Sequence, residues 1–315
     1  MFVQESTKSQ ELNKSTPSVE LGVTSIHDAY MLEFAITAKN ETGAAVTPTM
    51  AQFLNAIEQI NVKSDNSRDH YAVSGMDIAR RNAMRTPYGL TSRYLDKTFS
   101  SVADDASVTC NFVATLNEGD IVALQHNNIT LKAALASQID DDFNITNYTI
   151  KPTVIELIPQ TEADIIGKYG ANFEYALEPK VYAQEKKCGA NTEFMGFMDL
   201  PTSTLLQGAM MHWSVAPSQF GLVQVAPARM DITRLSWNTA RAKDSTKFGT
   251  EMPANVTYFD YASEWTLNNL GKDGRDFSRG DYQFAANTSE ETTMRLVSYE
   301  QMFPAGAGAI SSGKY

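Results

Sequence analysis

Ala29-Tyr30-Met31-Leu32-Glu33-Phe34-Ala35-Ile36-Thr37 is the stretch on which the fold turns. Tyr30, Leu32, Phe34 and Ile36 alternate with Met31, Glu33, Ala35 and Thr37. That is the period of a strand with one face in a core. Downstream, Ile57, Ile60 and Val62 lead into Ser64-Asp65-Asn66-Ser67, and Tyr71-Ala72-Val73 resumes the pattern, so a hairpin is expected. Ser74-Gly75-Met76-Asp77 then reads as a capping box, because the Ser hydroxyl can accept from the Asp77 amide while the Asp carboxylate reaches back to Ser74. A short helix to about Arg85, stopped by Pro87, is predicted to follow.

The same strand grammar extends outward. Val108–Leu116, Ile129–Leu135 and Ile145–Ile158 are β-rich, the last two flanking the acidic turn Asp140-Asp141-Asp142. Lys151-Pro152 is expected to put the middle of the last strand at an edge or a bulge. Residues 159–190 mix turn residues with short apolar pieces and are expected to carry a crossing between domains. The pattern restarts at Phe194–Leu200 and Leu205–Val215, then at Met230–Leu235, Tyr258–Tyr261, Trp265–Leu267, Tyr282–Phe284 and Met294–Tyr299. Residues 1–24 are polar and read as an arm that orders only against a neighbour, and Ala305–Ala309 as a flexible tail. With 315 residues and no long amphipathic helix, the expectation is an all-β chain of two sandwiches or barrels.

The halves look like loose copies of each other. Ala56–Val62 resembles Ala228–Thr233. Ile129–Ser137 followed by Ile150–Ile158 resembles Asp281–Thr288 followed by Met294–Phe303. The offsets of the two matches differ by about twenty residues, which inserted loops would explain.

Charge and motifs exclude several chemistries. The net charge of −11 argues against a direct grip on nucleic acid, which needs clustered Lys and Arg. Cys110 and Cys188 are too few for a disulfide framework and read as buried small hydrophobes. The polar start Met1-Phe2-Val3-Gln4-Glu5-Ser6 lacks the apolar core of a secretory signal, and no apolar run approaches a membrane span, so synthesis in the cytoplasm is expected. No G-x-S-x-G elbow and no H-E-x-x-H occur, and His27, His70, His126 and His212 have no ligand spacing, so we expect no enzyme, no catalytic residues and no cofactor, and leave any metal site unknown. Asp140, Asp142 and Asn144 mimic the opening of an EF-hand, but Ile145 stands where Gly is needed and Lys151 where a bidentate Glu is needed. A looser structural calcium site among Asp104, Asp105 and Asp140–Asp142 stays open beside a plain solvated loop. Arg80, Arg81 and Arg85 are read as a salt-bridged face rather than a phosphate grip. Arg279-Gly280-Asp281 spells an adhesion tripeptide but reads as a turn entering a strand. Trp213, Trp237 and Trp265 are read as core or interface filler rather than sugar platforms.

Four pieces carry a resemblance: Ile57–Val62 through Tyr71–Ile78, Phe197–Ser203, Tyr258–Leu267 and Met294–Phe303. In order and pattern they resemble the double jelly-roll major capsid proteins of tail-less, internal-membrane icosahedral phages of the corticovirus-like and finnlakevirus-like groups. The resemblance covers most of residues 25–303. It implies two tandem eight-stranded jelly-roll sandwiches with short connecting helices, at residues 25–160 and 161–315, the latter including a connector at 161–190. It further implies domains standing upright on a capsid and homotrimers forming pseudo-hexagonal capsomers that meet their neighbours. The virion is then the site of action, with minor capsid and vertex proteins as partners. A peripheral contact with the viral membrane is expected through the arm, where Phe2, Val3, Lys8 and Lys14 lie. The rival readings are a carbohydrate-binding β-sandwich, which needs exposed aromatics, and a β-sandwich glycoside hydrolase, which needs two facing carboxylates.

Overall fold

The computed structural model describes residues 1–85, 92–170, 176–260, 275–276 and 281–302. It divides into two compact units, Met1–Val181 and Tyr182–Tyr315. The boundary thus falls beyond the 160/161 step expected from sequence.

The first unit runs β1 (Phe2–Thr7), β2 (Ser18–Glu20), β3 (Ile26–Asn40), α1 (Met50–Asn55), β4 (Ile57–Ser64), β5 (Arg68–Val73), α2 (Gly75–Met84) and α3 (Ser92–Leu95). It continues with β6 (Ser107–Leu116), β7 (Ile129–Leu135), β8 (Gln138–Asp140), β9 (Phe143–Ile158) and α4 (Glu162–Tyr169). One sheet is ordered β1-β9-β3-β6, with β8 against β9, and the other includes β2-β7-β4-β5. β3 does what its alternation dictates: Tyr30, Leu32, Phe34, Ile36 and Ala38 are buried, and Phe34 stacks on Phe112 of β6 at 4.6 Å. Tyr30 meets Tyr71 of the opposite sheet edge-on at 6.2 Å, so the two inner faces share one core. The hairpin between β4 and β5 turns through Asp65 (φ 50) and Asn66 (φ 58), a left-handed pair at the centre of a turn that the Ser67 amide closes onto the Ser64 carbonyl at 3.2 Å. The capping box forms as read: Ser74 Oγ accepts from the Asp77 amide at 3.3 Å, and Asp77 Oδ2 accepts from the Ser74 amide at 3.0 Å.

Two expectations are corrected here. Residues 1–24 are not a separate arm. β1 pairs antiparallel with β9 from Phe2↔Ile158 to Thr7↔Thr153, β2 pairs with β7, and Leu12, Val19 and Leu21 are buried. Their polarity is that of edge strands, whose outer faces stay wet. Pro152 does not put β9 at an edge or a bulge either, since Leu32↔Pro152 sits inside an unbroken run of the β3–β9 ladder. The Pro152 carbonyl accepts from the Lys8 amide at 3.0 Å, so the missing N–H also faces β1, just where that strand ends. The partner makes the detour: Leu12 returns to form a two-way bridge with Ile150.

β10 (Glu178–Cys188) begins in the first unit and ends in the second. Then come β11 (Asn191–Asp199), β12 (Leu205–Trp213), β13 (Gln219–Gln224), β14 (Met230–Ser236), α5 (Trp237–Phe248) and β15 (Val256–Asp260). β16 (Arg275–Asp276), β17 (Tyr282–Thr288) and β18 (Thr292–Met302) follow. The sheets are β11-β17-β13-β14 and β15-β12-β18-β10, with β16 against β12. Leu206, Met211, Trp213, Phe220, Leu222 and Phe284 form the core. α5 carries clear end signals: Ser236 Oγ accepts from the Thr239 amide, and Gly249 stands at φ +63. Its buried Asp244 ties it to β15 by accepting from Thr257 Oγ1 at 2.6 Å and the Tyr258 amide at 2.8 Å.

Among the described residues, with β8 and β16 set aside, each unit has eight strands, paired 1-8-3-6 in one sheet and 2-7-4-5 in the other. That is the jelly-roll order, twice in one chain. The Ala305–Ala309 tail lies outside the described residues.

Candidate functional site

Two of the histidines, which have no ligand spacing in sequence, come together in the fold. His70 on β5 and His126 before β7 come together with Glu178 at the start of β10, their ligand-capable atoms all within 4.8 Å of one another. Glu178 was not singled out by sequence, and the three residues lie too far apart in the chain for any spacing rule to join them. The His70 and His126 rings meet edge-on, 5.7 Å apart. His126 Nδ1 lies 2.8 Å from Asp65 Oδ2, and its Nε2 lies 2.9 Å from Glu178 Oε1. His70 Nδ1 is 3.2 Å from the Pro179 carbonyl, and its Nε2 is 2.8 Å from Ser64 Oγ. The Val122 amide donates to Glu178 Oε1 at 3.1 Å, and Arg68 Nη2 stands 3.3 Å from Oε2.

This cluster is almost dry, with His70 and Glu178 fully buried. Burial pushes His70 down to about 4 against the upward pull of Glu178. Burial also lowers His126, but the hydrogen bond and charge of Glu178, with those of Asp65, outweigh it and hold the imidazole above its usual value. Glu178 is raised by burial and lowered more by His126, His70 and Arg68, so its carboxylate stays below the ordinary range.

The other singled-out residues scatter. His27 is buried on β3 with Nδ1 2.9 Å from Tyr30 Oη. His212 lies on β12. Asp105 pairs with Lys39 at 2.8 Å, Asp104 accepts from the Gly43 amide, and Asp140 accepts from Gln52 Nε2 at 2.6 Å. Among the described residues these acidic turns make no metal-capable group with one another. Arg81 and Arg85 turn inward to Glu118. Arg80 lies on α2, partly buried. Trp213 is fully buried, edge-on to Phe197 and Phe220, and Trp237 packs against the same core, so neither is a sugar platform. Trp265, Arg279 and Gly280 lie outside the described residues. Cys110 and Cys188 are buried free thiols, and burial raises Cys110 to about 12. No helix among the described residues is long and apolar enough to cross a membrane.

Exposed apolar groups gather on edges. Phe2 and Val3 on β1 are 48% and 64% exposed, and Met230 and Ile232 on edge strand β14 are 54% and 39% exposed. On β14 itself, Arg234 lies over the ring of Phe194 of β11 at 5.0 Å.

The chain has the double jelly-roll fold. No family model and no curated protein matches the sequence. Among solved structures it is similar to the STIV MCP of Sulfolobus Turreted Icosahedral Virus, with a TM-score of 0.78 at 15% identity, covering 96% of this chain and 98% of that one. It is also similar to the PBCV-1 virus capsid, with a TM-score of 0.60 at 11% identity over 96% and 94% of the two chains. The major capsid protein P2 from Bacteriophage PM2 gives 0.53 at 9% identity over 98% and 100%.

Proposed function

We propose that this chain is a structural major capsid protein of an icosahedral virus and acts without catalysis. The end-to-end match to the STIV MCP, which leaves almost no part of either chain over, carries the reading. A catalytic or binding protein on the same scaffold would be expected to add loops or a pocket beyond the shared frame. The edges supply a second support. An exposed strand such as β14, with Met230 and Ile232 outward, is a liability in a free monomer and an asset where a second copy covers it.

In this reading three chains associate about a three-fold axis. Their six jelly rolls make a pseudo-hexagonal capsomer that tiles a shell with neighbouring capsomers, minor proteins and vertex proteins. The chain is made in the host cytoplasm and ends in the virion around an internal membrane. Phe2 and Val3 are the apolar groups on offer to lipid; Lys8 and Lys14 are engaged within the unit, by Glu156 and by the Ile145 carbonyl. An acidic protein suits a shell kept off the genome.

Negative-stain imaging of the purified protein tests this. Six-lobed, three-fold class averages are expected; two-lobed monomers at assembly concentrations would remove the capsomer.

A further inference from the structure

We propose that His70, His126 and Glu178 form a zinc site that staples the first unit. The argument begins with hydrogen positions. The Pro179 carbonyl can only accept, so His70 Nδ1, 3.2 Å away, carries the proton, and its Nε2 presents a lone pair that accepts from Ser64 Oγ at 2.8 Å, a hydrogen bond that the metal would replace. Asp65 does the same for His126, its carboxylate holding Nδ1–H at 2.8 Å. Both imidazoles are thus set in the tautomer that ligates through Nε2, each backed by an oxygen acceptor, the outer-shell arrangement that metal-binding histidines use.

The His126 Nε2 lone pair faces Glu178 Oε1 at 2.9 Å. Two lone pairs at that separation repel unless a positive centre lies between them. A proton on Nε2 is one such centre and zinc is the other; binding exchanges that proton for the metal. Zinc takes imidazole nitrogen and carboxylate oxygen at about 2.0–2.2 Å in a tetrahedron, so its ligand atoms stand roughly 3.3 Å apart. The pair at 2.9 Å and the full set within 4.8 Å reach that geometry by small side-chain rotations.

Two nitrogens and one carboxylate suit zinc and not magnesium or calcium, which want oxygen throughout. Glu178 is fully buried, with the Arg68 ion pair at 3.3 Å from Oε2 and the Val122 amide donating to Oε1 at 3.1 Å. The second lone pair of Oε1, the one turned to His126 Nε2, is the one offered to the metal, with a fourth position for water. The ligands come from β5, the segment before β7 and the start of β10, so one ion closes two long loops of chain.

Full-length protein stripped with chelator is titrated with Zn²⁺ by calorimetry and with Co²⁺ by visible absorption. One zinc per chain, a higher unfolding temperature and the intense bands of tetrahedral cobalt are expected, with no response to Ca²⁺ or Mg²⁺. His126→Gln should abolish binding. Asp65→Asn, at a partly exposed position, should keep the fold and weaken zinc about 10–100-fold. If His126→Gln does not fold, the wild-type cobalt spectrum and Asp65→Asn still decide. No zinc uptake by folded wild type, or unchanged uptake by either variant, overturns the site and leaves a protonated His126 as the bridge. None of these readouts depends on capsid assembly.

Discussion

Arg81 grips Glu118 with two parallel bonds, Nε to Oε1 and Nη2 to Oε2, both 3.0 Å, and both side chains are buried. Burial pushes the Glu118 carboxyl up, but Arg81 and Arg85 outweigh that and hold it below its usual value. Breaking such a pair strands a charge. Arg81→Ala should destabilise the first unit by about 3 kcal/mol, the low end for a buried pair because Arg85 remains at 2.7 Å. Urea unfolding measures it. The double change Arg81→Met, Glu118→Leu should recover most of the loss.

His27 predicts a pH dependence. Burial pushes its imidazole down to about 4, against the raising pull of Glu156; Lys8, His70 and His126 lower it further. In the unfolded chain it titrates near 6.5. As pH falls below 6.5 the unfolded state takes up a proton that the native state refuses, so stability drops until about pH 4. Between pH 7 and pH 5 the loss from this one group is about 2 kcal/mol. His27→Gln should flatten the urea midpoint over that interval by this amount; an unchanged slope would mean that the imidazole is charged in the native state.

Trp213 sits at the centre of the second core with no hydrogen bond to its Nε1. Trp213→Phe should therefore cost less than about 1.5 kcal/mol, whereas Trp213→Ala, which empties the site, should cost about 3–5 kcal/mol. Thermal unfolding of the two variants compares them.

Gly221 on β13 lies against β14, and a Cβ there would strike the backbone carbonyl of Thr233. Backbone cannot swing aside as a side chain can. Gly221→Ala should cost about 1–3 kcal/mol, whereas Ala at Gly189, where nothing lies within 4 Å, should be silent.

Removing residues 1–24 should unfold or aggregate the first unit, because Leu12, Val19 and Leu21 leave the core and the β9 and β7 edges are bared. Soluble, cooperatively folded truncated protein would restore the reading of this segment as an arm.

What was legible in the sequence follows from periodicity. β3 announces itself because one face is buried and the other is not, and Asp65-Asn66 and Ser74–Asp77 announce a turn and a cap because few residue types do those jobs. β1 and β2 were hidden by the polarity of edges. α5 was hidden because it buries little beyond Ala240 and Asp244 and so has no apolar stripe to read. The repeat was half legible. Ile129–Ser137 and Asp281–Thr288 are both the seventh strand of their jelly roll, and the strands after them are both the eighth. Ala56–Val62 is a fourth strand, however, and Ala228–Thr233 leads into a fifth; its true counterpart is β13. Setting β4 against β13 removes about half of the difference between the offsets, and loops of unequal length supply the rest. The His70–His126–Glu178 cluster was not legible, since only the topology brings its three segments together.

Pro152 has a last consequence. A strand slid by two residues along its neighbour normally keeps its faces and most of its bonds, so alternative seatings compete. Beside β9 they do not compete equally, because a two-residue slide that carries the end of β1 past Pro152 brings the Ser6 carbonyl against a ring with no hydrogen to give. The proline thus works as a stop at one end of a ruler: it marks how far along β9 the first strand of the chain can run.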